Sequence, residues 1–189
     1  MPGKLLYFDI GGRAEGIRAL LAHAGHQYED DRKSFEEFGE LKSSGALPLG
    51  SMPVWEEDGV QYAQSSAILR MLGIRLGYYS SDPMTCWAID SLVDFCEDLQ
   101  GAFAGYLFPV TRGAQPSDDA SDWFSGYWDK LLPLIEARLA GHGKAFIAGT
   151  DKPTIADFKC FQTVLSGTSI NKACAVPAGV LAQVEAKIA

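Results

Sequence analysis

The first 77 residues alternate between the apolar spacings of strands and of helices. Leu5, Leu6 and Phe8 lie in a short strand predicted over residues 4–9, and apolar positions then recur every three or four residues along a helix predicted over 14–25. The remaining pattern predicts a strand at 27–30, a helix at 34–42 opened by Ser34 and Glu37 as a capping box, a β-hairpin of 53–56 and 60–63 around Glu57-Asp58-Gly59, and a helix at 66–76 that ends at Gly77.

Residues beyond 77 follow helical spacing almost throughout. Asp82 and Pro83 predict a helix start after a linker at 77–81, and Phe108-Pro109 predicts the end of that helix near Leu107. Further helices are expected at 117–140, kinked at Pro133, at 154–164 and at about 178–187. The order βαβα-ββα followed by helices predicts an α/β thioredoxin-like N-terminal domain over 1–77 and an all-α C-terminal helical domain over 83–189.

The net charge of the chain limits the kinds of partner that the protein can bind. Lys and Arg total 16 against 24 Asp and Glu, which gives a net charge of −8. Proteins that bind nucleic acid or anionic membranes need a concentrated basic face, so both partners are excluded. A small anion remains compatible with this composition, because one local basic group is enough to bind it.

The sequence predicts a cytoplasmic protein with reduced thiols. No apolar run resembling a signal peptide precedes Asp9, and the longest nearly apolar run, 102–110, is about half of the ~20 residues that a membrane-spanning helix needs. Four widely spaced cysteines lack a C-x-x-C pair, and the three histidines form no metal-ligand pattern with them. No zinc site is therefore expected.

A glycine-rich turn, residues 11–16, lies where the first strand passes into the first helix. It lacks the G-x-G-x-x-G spacing of dinucleotide folds and the Lys-Ser/Thr of a P-loop. One interpretation is a tight turn that only glycine permits. The other is an anion site, because Tyr7, Arg13 and the helix N-terminus lie close together in the sequence.

The segment from Lys4 to Asp31 resembles the glutathione S-transferase family, and is most similar to its Sigma class. The shared features are Tyr-Phe at the end of the strand, Gly-Arg-Ala-Glu at the helix start and Tyr-Glu-Asp after the helix. Further matches follow in the same order over nearly the whole chain, at Leu41-Lys42, Met52-Pro53, Asp58-Gly59, Gln64-Ser65, Ala67-Ile68, Arg70 and the Thr154–Asp157 cap.

The resemblance implies catalysis through Tyr7 and Arg13. Tyr7 would donate its phenolic hydrogen to the thiolate of glutathione, and Arg13 would polarise that tyrosine or face the sulfur. No cysteine follows the first strand, which argues against thiol exchange of the glutaredoxin kind.

The resemblance also assigns the tripeptide contacts. Gln64 and Ser65 would hold the γ-glutamyl carboxylate at a helix N-terminus. Met52 would pair through its backbone with the cysteinyl unit, before a cis peptide bond to Pro53. Lys42 would meet the glycyl carboxylate.

Two positions near the glycyl end depart from the family pattern. Phe38 stands where the class usually has Trp, and Ser51 replaces a common Gln or Lys. On the acceptor side, Phe8, Phe103 and Tyr106 are the expected lining of the hydrophobic substrate pocket.

The helix after Pro83 carries four carboxylates, Asp90, Asp94, Glu97 and Asp98. Asp94 matches an acid that, in the family, reaches the glutathione of the partner subunit. The four side chains are otherwise the polar face of a helix, and a Ca²⁺ or Mg²⁺ site across a dimer axis is a further alternative.

The resemblance therefore implies a homodimeric glutathione transferase that joins glutathione to hydrophobic electrophiles in detoxification. Two alternatives stay open. One is a glutathione-dependent isomerase of the prostaglandin D synthase kind. The other is a non-catalytic ligand-binding or crystallin-like protein with the same fold.

Overall fold

The structure is a computed structural model that describes residues 2–111 and 132–173, with side chains for 2–101 and 132–164. The elements in chain order are β1 (Lys4–Phe8), a 3-10 turn (Gly12–Ala14), α1 (Glu15–His23), β2 (Glu29–Lys33), α2 (Phe35–Ser43), β3 (Val54–Glu57), β4 (Val60–Ala63), α3 (Ser65–Leu76), α4 (Pro83–Thr111), α5 (132–142) and α6 (Ile155–Ala173). The predicted order of strands and helices up to α3 is confirmed.

The four strands form one mixed sheet in the order β2-β1-β3-β4. β1 pairs in parallel with β2, so α1 makes the crossover between them, while β3 is antiparallel to both β1 and β4. The hairpin turn is Asp58-Gly59 with φ values of +50° and +78°, and Glu57 belongs to β3 rather than to the turn. β1 lies at the centre of the sheet, and it carries Tyr7 and Phe8 at its end.

Arg18 fixes the end of β1 relative to α1. Its side chain is buried, and its guanidinium donates to the carboxylate of Asp30 at 3.1–3.2 Å. The same group donates to the carbonyl oxygens of Ile10 at 2.7 Å and Phe8 at 3.3 Å. A buried guanidinium needs such partners, and here the partners are the backbone that leaves β1.

The helix ends in this half follow the sequence signals closely. Ser34 accepts a hydrogen bond from the Glu37 N–H, and the Glu37 carboxylate accepts one from the Ser34 N–H, so the predicted capping box is confirmed. α3 begins at Ser65, one residue earlier than predicted, with Gln64 as its N-cap. It ends at Gly77, whose φ of +83° is the left-handed conformation that glycine favours.

Two predicted helix ends in the second half are wrong. α4 continues through Pro109 to Thr111 instead of stopping near Leu107. A proline removes one backbone hydrogen bond and strains the preceding turn, and so close to the end of a long helix that loss does not stop the helix. α6 runs to Ala173 rather than Val164, because one interior glycine, Gly167, costs only about 1 kcal/mol.

The predicted helix over 117–140 is described only from residue 132, where α5 is helical to 142. The rest of that prediction and the helix expected over 178–187 lie outside the described residues. Within the described ranges, no helix combines the length and the apolar character needed to cross a membrane.

α6 packs against both α1 and α4 and so joins the two halves of the chain. The Ile155 N–H donates to the carbonyl of Tyr78 at 3.0 Å, in the segment between α3 and α4. Gly73 of α3 lies so close to α6 that a Cβ atom built on it would be 2.2 Å from Cγ2 of Ile155. The Asp157 carboxylate accepts from the Thr154 N–H at 2.8 Å and from the Ile147 N–H at 2.9 Å, which fixes the start of α6.

Candidate functional site

The hydroxyl of Tyr7 is held by the glycine-rich turn. The backbone N–H of Arg13 donates to Oη of Tyr7 at 3.0 Å, and the Tyr7 side chain is only 6% exposed. Burial raises the pKa of Tyr7, while the Arg13 N–H lowers it by less. The hydroxyl therefore stays protonated at neutral pH, and among the residues whose side chains are described its oxygen accepts one hydrogen bond while its proton is donated to no group.

Gly12 makes this approach sterically possible. Its φ is +46°, and a Cβ atom added there would lie 2.6 Å from Oη of Tyr7. Both conditions require glycine. The sequence left open whether this turn is structural or functional, and the geometry shows that its backbone contacts the Tyr7 hydroxyl directly.

The guanidinium of Arg13 points elsewhere. Its Nη1 binds Oε2 of Glu97 on α4. Among the described residues, the contact from Arg13 to Tyr7 is therefore the backbone N–H; the resemblance implied that Arg13 polarises this tyrosine or faces the sulfur.

A cavity of about 330 Å³ lies beside this turn, lined by Arg13, Ser51, Met52, Pro53, Gln64, Ser65 and Glu97. It brings together five of the residues assigned from the sequence, from three separate segments of the chain. The Met52–Pro53 peptide bond is cis, as the resemblance implied.

Gln64 and Ser65 form the start of α3 at the cavity wall. Gln64 has a φ of +75°, which is strained for a residue with a side chain. The Ser65 hydroxyl donates to Oε1 of Glu97 at 3.2 Å. The backbone N–H groups of the first turn lack acceptors within the helix, so they are the donors that α3 offers to a carboxylate.

Glu97 connects the cavity to the helical half of the chain. Its Oε1 accepts from the hydroxyls of Ser65 and Ser66, the latter at 2.9 Å, and from Nζ of Lys159 on α6. Burial alone would raise the pKa of Glu97, but Lys159 and Arg13 outweigh it and lower the pKa to about 2. The carboxylate is therefore ionised throughout the physiological range.

The sequence reasoning missed the roles of Glu97 and Lys159. From the sequence, Glu97 is one of four carboxylates that form either the polar face of a helix or a metal site across a dimer axis. Lys159 lies four residues after Ile155 and three after Ala156, on the face of α6 that is buried. The signal in the sequence that could have identified Lys159 is a lysine at a position where the helical spacing predicts a buried apolar residue.

Phe8 leaves the end of β1 beside Tyr7, with ring centroids 5.4 Å apart. Its ring also contacts Phe35 at 4.7 Å and Phe38 at 5.2 Å, both on α2. Phe35 is 73% exposed and was not assigned from the sequence, although its spacing of three residues from Phe38 places both on one helix face.

Several assigned residues are absent from the cavity lining, among them Phe8 and Tyr7, whose hydroxyl is bound by the backbone of the lining residue Arg13. Lys42 is exposed, and its Nζ is 5.9 Å from the ring centroid of Phe38, which is itself outside the lining. Asp94 is exposed on α4. Phe103 and Tyr106 lie beyond the residues whose side chains are described.

Two of the four carboxylates of α4 are engaged within the chain. Asp90 accepts from Nε of Arg70 at 2.9 Å and from the Tyr79 hydroxyl at 2.5 Å, and Glu97 is bound as described above. In the part of the chain that the structure describes, no group of three or more potential metal-binding side chains is present.

Proteins similar to this chain share its fold over most of its length. Residues 3–73 match the family model "Glutathione S-transferase, N-terminal domain". "Glutathione S-transferase 1" of Ascaris suum is 36% identical over 88% of this chain and 81% of its own length. The crystal structure of the glutathione S-transferase from Ascaris lumbricoides has a TM-score of 0.75 and 31% identity, covering 100% of this chain and 90% of that one. The prostaglandin synthase D of Nilaparvata lugens, 24% identical with a TM-score of 0.75 over 100% of this chain and 92% of that one, is similar in fold alone.

The sheet order, the cis-proline edge and the helical second half define a thioredoxin-like fold with a tyrosine hydroxyl bound by the backbone of a residue that lines a cavity. The chain belongs to the glutathione S-transferase family.

Proposed function

We propose that this protein transfers glutathione to electrophilic carbon atoms of hydrophobic substrates, and that Tyr7 stabilises the reacting thiolate. The observation that carries the proposal is the Tyr7 hydroxyl, buried and bound by the Arg13 N–H at 3.0 Å, beside a cavity lined by Gln64 and Ser65.

The chemistry requires such a group. A free cysteine thiol has a pKa of ~8.5, so most glutathione is protonated and unreactive at neutral pH. Tyr7 is protonated there and keeps its proton available for the sulfur. The Arg13 N–H bonds the phenol oxygen and makes the hydroxyl a better donor. A hydrogen bond of this kind lowers the thiol pKa and increases the thiolate fraction.

The cavity offers complementary groups for the tripeptide. We assign the γ-glutamyl carboxylate to Gln64 and to the backbone N–H groups of the first turn of α3, since the Ser65 hydroxyl is already directed to Glu97. The backbone of Met52, before Pro53, pairs with the cysteinyl unit. Lys42 would approach the glycyl carboxylate at the open end, with Phe38 beside it.

The acceptor substrate is assigned to the aromatic surface next to Tyr7. Phe8 and Phe35 present half-buried and exposed rings 4.7 Å apart, and apolar surface of this kind binds hydrophobic molecules. Phe103 and Tyr106 on α4 complete this pocket in the proposal.

A homodimer would complete the site through Asp94, which is exposed on α4 and is assigned to the partner's glutathione. Support comes from Met84 and Trp87 in the first turns of α4, which are 69% and 60% exposed. The two residues are three positions apart on one helix face, and an exposed apolar patch of this kind supports a protein interface. Light scattering should give twice the chain mass, and Trp87→Glu should shift it toward the monomer. The matched control is Phe161→Glu, because Phe161 is also an exposed aromatic residue, at 48%, but lies on a different helix, α6. This variant should keep the mass of the wild type.

The proposed class within the family and the proposed domain bounds are supported by features of the sequence. The segment from Lys4 to Asp31 supports a Sigma-class assignment, and the change from strands to helices after Gly77 supports domains at 1–77 and 83–189. Detoxification in the cytoplasm is the setting we propose for this reaction.

The test is conjugation of glutathione to chlorodinitrobenzene by the wild type and by Tyr7→Phe. We expect clear turnover and a loss of about tenfold or more in the variant, equivalent to about 1.4 kcal/mol in the barrier. Tyr28→Phe is the matched control, because it removes the same hydroxyl from a tyrosine whose ring packs beside Trp55, with ring centroids 6.2 Å apart. Equal activity in Tyr7→Phe would contradict the mechanism. Retention on immobilised glutathione without turnover would indicate a binding protein.

A further inference from the structure

Lys159 is a buried lysine at the interface between the two halves of the chain. Its exposed fraction is 0%, which is rare for lysine, and a charge in such a place needs a partner. Nζ binds Oε1 of Glu97, and it also donates to Oε1 of Gln100 at 3.1 Å. Lys159 therefore contacts the same oxygen of Glu97 that accepts from the Ser65 hydroxyl, in a carboxylate that lines the cavity.

The surrounding hydrogen bonds hold this ammonium group in place. Gln162 donates to Oε1 of Gln100 at 2.7 Å, and the Gly16 N–H of α1 donates to Oε1 of Gln162 at 3.3 Å. The chain of contacts thus runs from α6 through α4 back to the first turn of α1. Rigid donors of this kind set a fixed field at the site.

The charges of this cluster do not cancel. Arg13 and Glu97 line the cavity and alone would sum to zero, so that an anionic ligand would meet a neutralised arginine. Lys159 adds a second cation to the same carboxylate, and the three side chains then carry one net positive charge. Lys159 is buried, and the side chains of Glu97 and Arg13 are 25% and 36% exposed, so that charge is screened less than at the open surface.

We propose that Lys159 is a positioning residue for glutathione conjugation: it neutralises the charge of Glu97, so that the positive charge of Arg13 acts on the anionic tripeptide and its thiolate. The inference rests on the function proposed above.

The ionisable groups around Lys159 come from three elements. They are Arg13 before α1, Cys96 and Glu97 on α4, and Cys160 on α6 itself. Burial lowers the pKa of Lys159, and Glu97 opposes that shift. The contact between Lys159 and an ionised Glu97 is that of a charged pair.

The experiment compares Lys159→Met, Lys159→Gln and the double variant Lys159→Met/Glu97→Gln with the wild type. Ultraviolet absorbance of the thiolate, followed against pH, gives the apparent pKa of the bound glutathione thiol. Steady-state kinetics give KM for glutathione and kcat. Circular dichroism establishes that each variant is folded, and Lys159→Gln, which keeps an N–H donor without the charge, supplies the single-site measurement if Lys159→Met does not fold.

Removing the lysine charge should raise the thiol pKa by about one unit and KM for glutathione by about fivefold to tenfold. The double variant again leaves one net positive charge, on Arg13, and should return both values most of the way to those of the wild type. A purely structural role of Lys159 does not predict this rescue. The control is Lys152→Met, an exposed lysine seven residues earlier, which should change neither value.

An unchanged thiol pKa in the folded single variants overturns the inference, and so does a double variant no better than the single one. Neither result contradicts the proposed function as long as the wild type shows the ultraviolet absorbance band of the bound thiolate and conjugates glutathione. A wild type without a thiolate band or turnover would instead refute the proposed function itself.

Discussion

The backbone N–H of Arg13 donates a hydrogen bond to the hydroxyl oxygen of Tyr7 at 3.0 Å, while the guanidinium of the same residue binds Glu97. One residue therefore links the phenol of the first strand to the carboxylate of α4. The position of Arg13 depends on the turn at Gly12, on the start of α3 and on α6. Changes to any of these should alter the reactivity of the glutathione thiol beside Tyr7.

Gly12→Ala should reduce activity more than stability. The added methyl group would lie 2.6 Å from Oη of Tyr7, and the φ of +46° disfavours any side chain. The turn must shift, which lengthens the bond from Arg13 to Tyr7, and we expect kcat/KM for chlorodinitrobenzene to fall by about tenfold or more.

Gly45→Ala is the control for that experiment, because it introduces the same backbone strain at a positive φ without a steric clash. Gly45 has a φ of +73°, but nothing lies within 4 Å of a Cβ added there. This variant should lose about 1 kcal/mol of unfolding free energy and keep its activity. If both variants lose activity equally, the contact between Gly12 and Tyr7 is not the cause.

Glu97 should make the protein less stable in acid. Its pKa is lowered to about 2 in the folded state, below the unfolded value, so its stabilisation is complete above about pH 4.5 and is lost as the pH falls toward 2. Between pH 5 and pH 3, this group should remove about 2 kcal/mol from the free energy of unfolding.

Urea unfolding at both pH values tests this prediction against Lys159→Met/Glu97→Gln, which removes both charges and avoids a buried unpaired lysine. Other carboxylates contribute equally to the two proteins. The wild type should therefore lose about 2 kcal/mol more than the double variant over that interval, and equal losses would contradict the lowered pKa of Glu97.

Gly73→Ala should weaken the packing of α3 against α6. The new methyl group would lie 2.2 Å from Cγ2 of Ile155, and the two helices must separate to admit it. We expect a loss of about 1–3 kcal/mol in the free energy of unfolding, measured with urea.

The matched control is Gly39→Ala in the middle of α2, where nothing lies within 4 Å of the added Cβ. There alanine should stabilise the helix by about 0.5–1 kcal/mol. If Gly73→Ala instead increases the free energy of unfolding, α6 can move away from α3 without loss of stability, and the prediction is wrong.

Local sequence signals predicted much of the first half of the fold. The apolar β1, the capping box of Ser34 and Glu37, the Asp58-Gly59 turn and the stop at Gly77 each depend on a few neighbouring residues. The predicted helix ends near Leu107 and at Val164 are wrong, because the local helix-breaking tendencies of Pro109 and Gly167 are outweighed within two long helices.

The sequence by itself also indicated the family, and through that resemblance the cavity residues Met52, Pro53, Gln64 and Ser65, because the motifs that carry the resemblance are continuous in sequence. Only the tertiary structure decided what Arg13 does. Residue spacing does not show whether a backbone N–H or a guanidinium reaches Tyr7.

The pairing of Glu97 with Lys159 was likewise decided by the tertiary structure. The two residues are 62 positions apart and meet only because α4 packs against α6. Charges so distant in sequence interact strongly only when folding removes the water between them, and that removal depends on the packing of the whole interface.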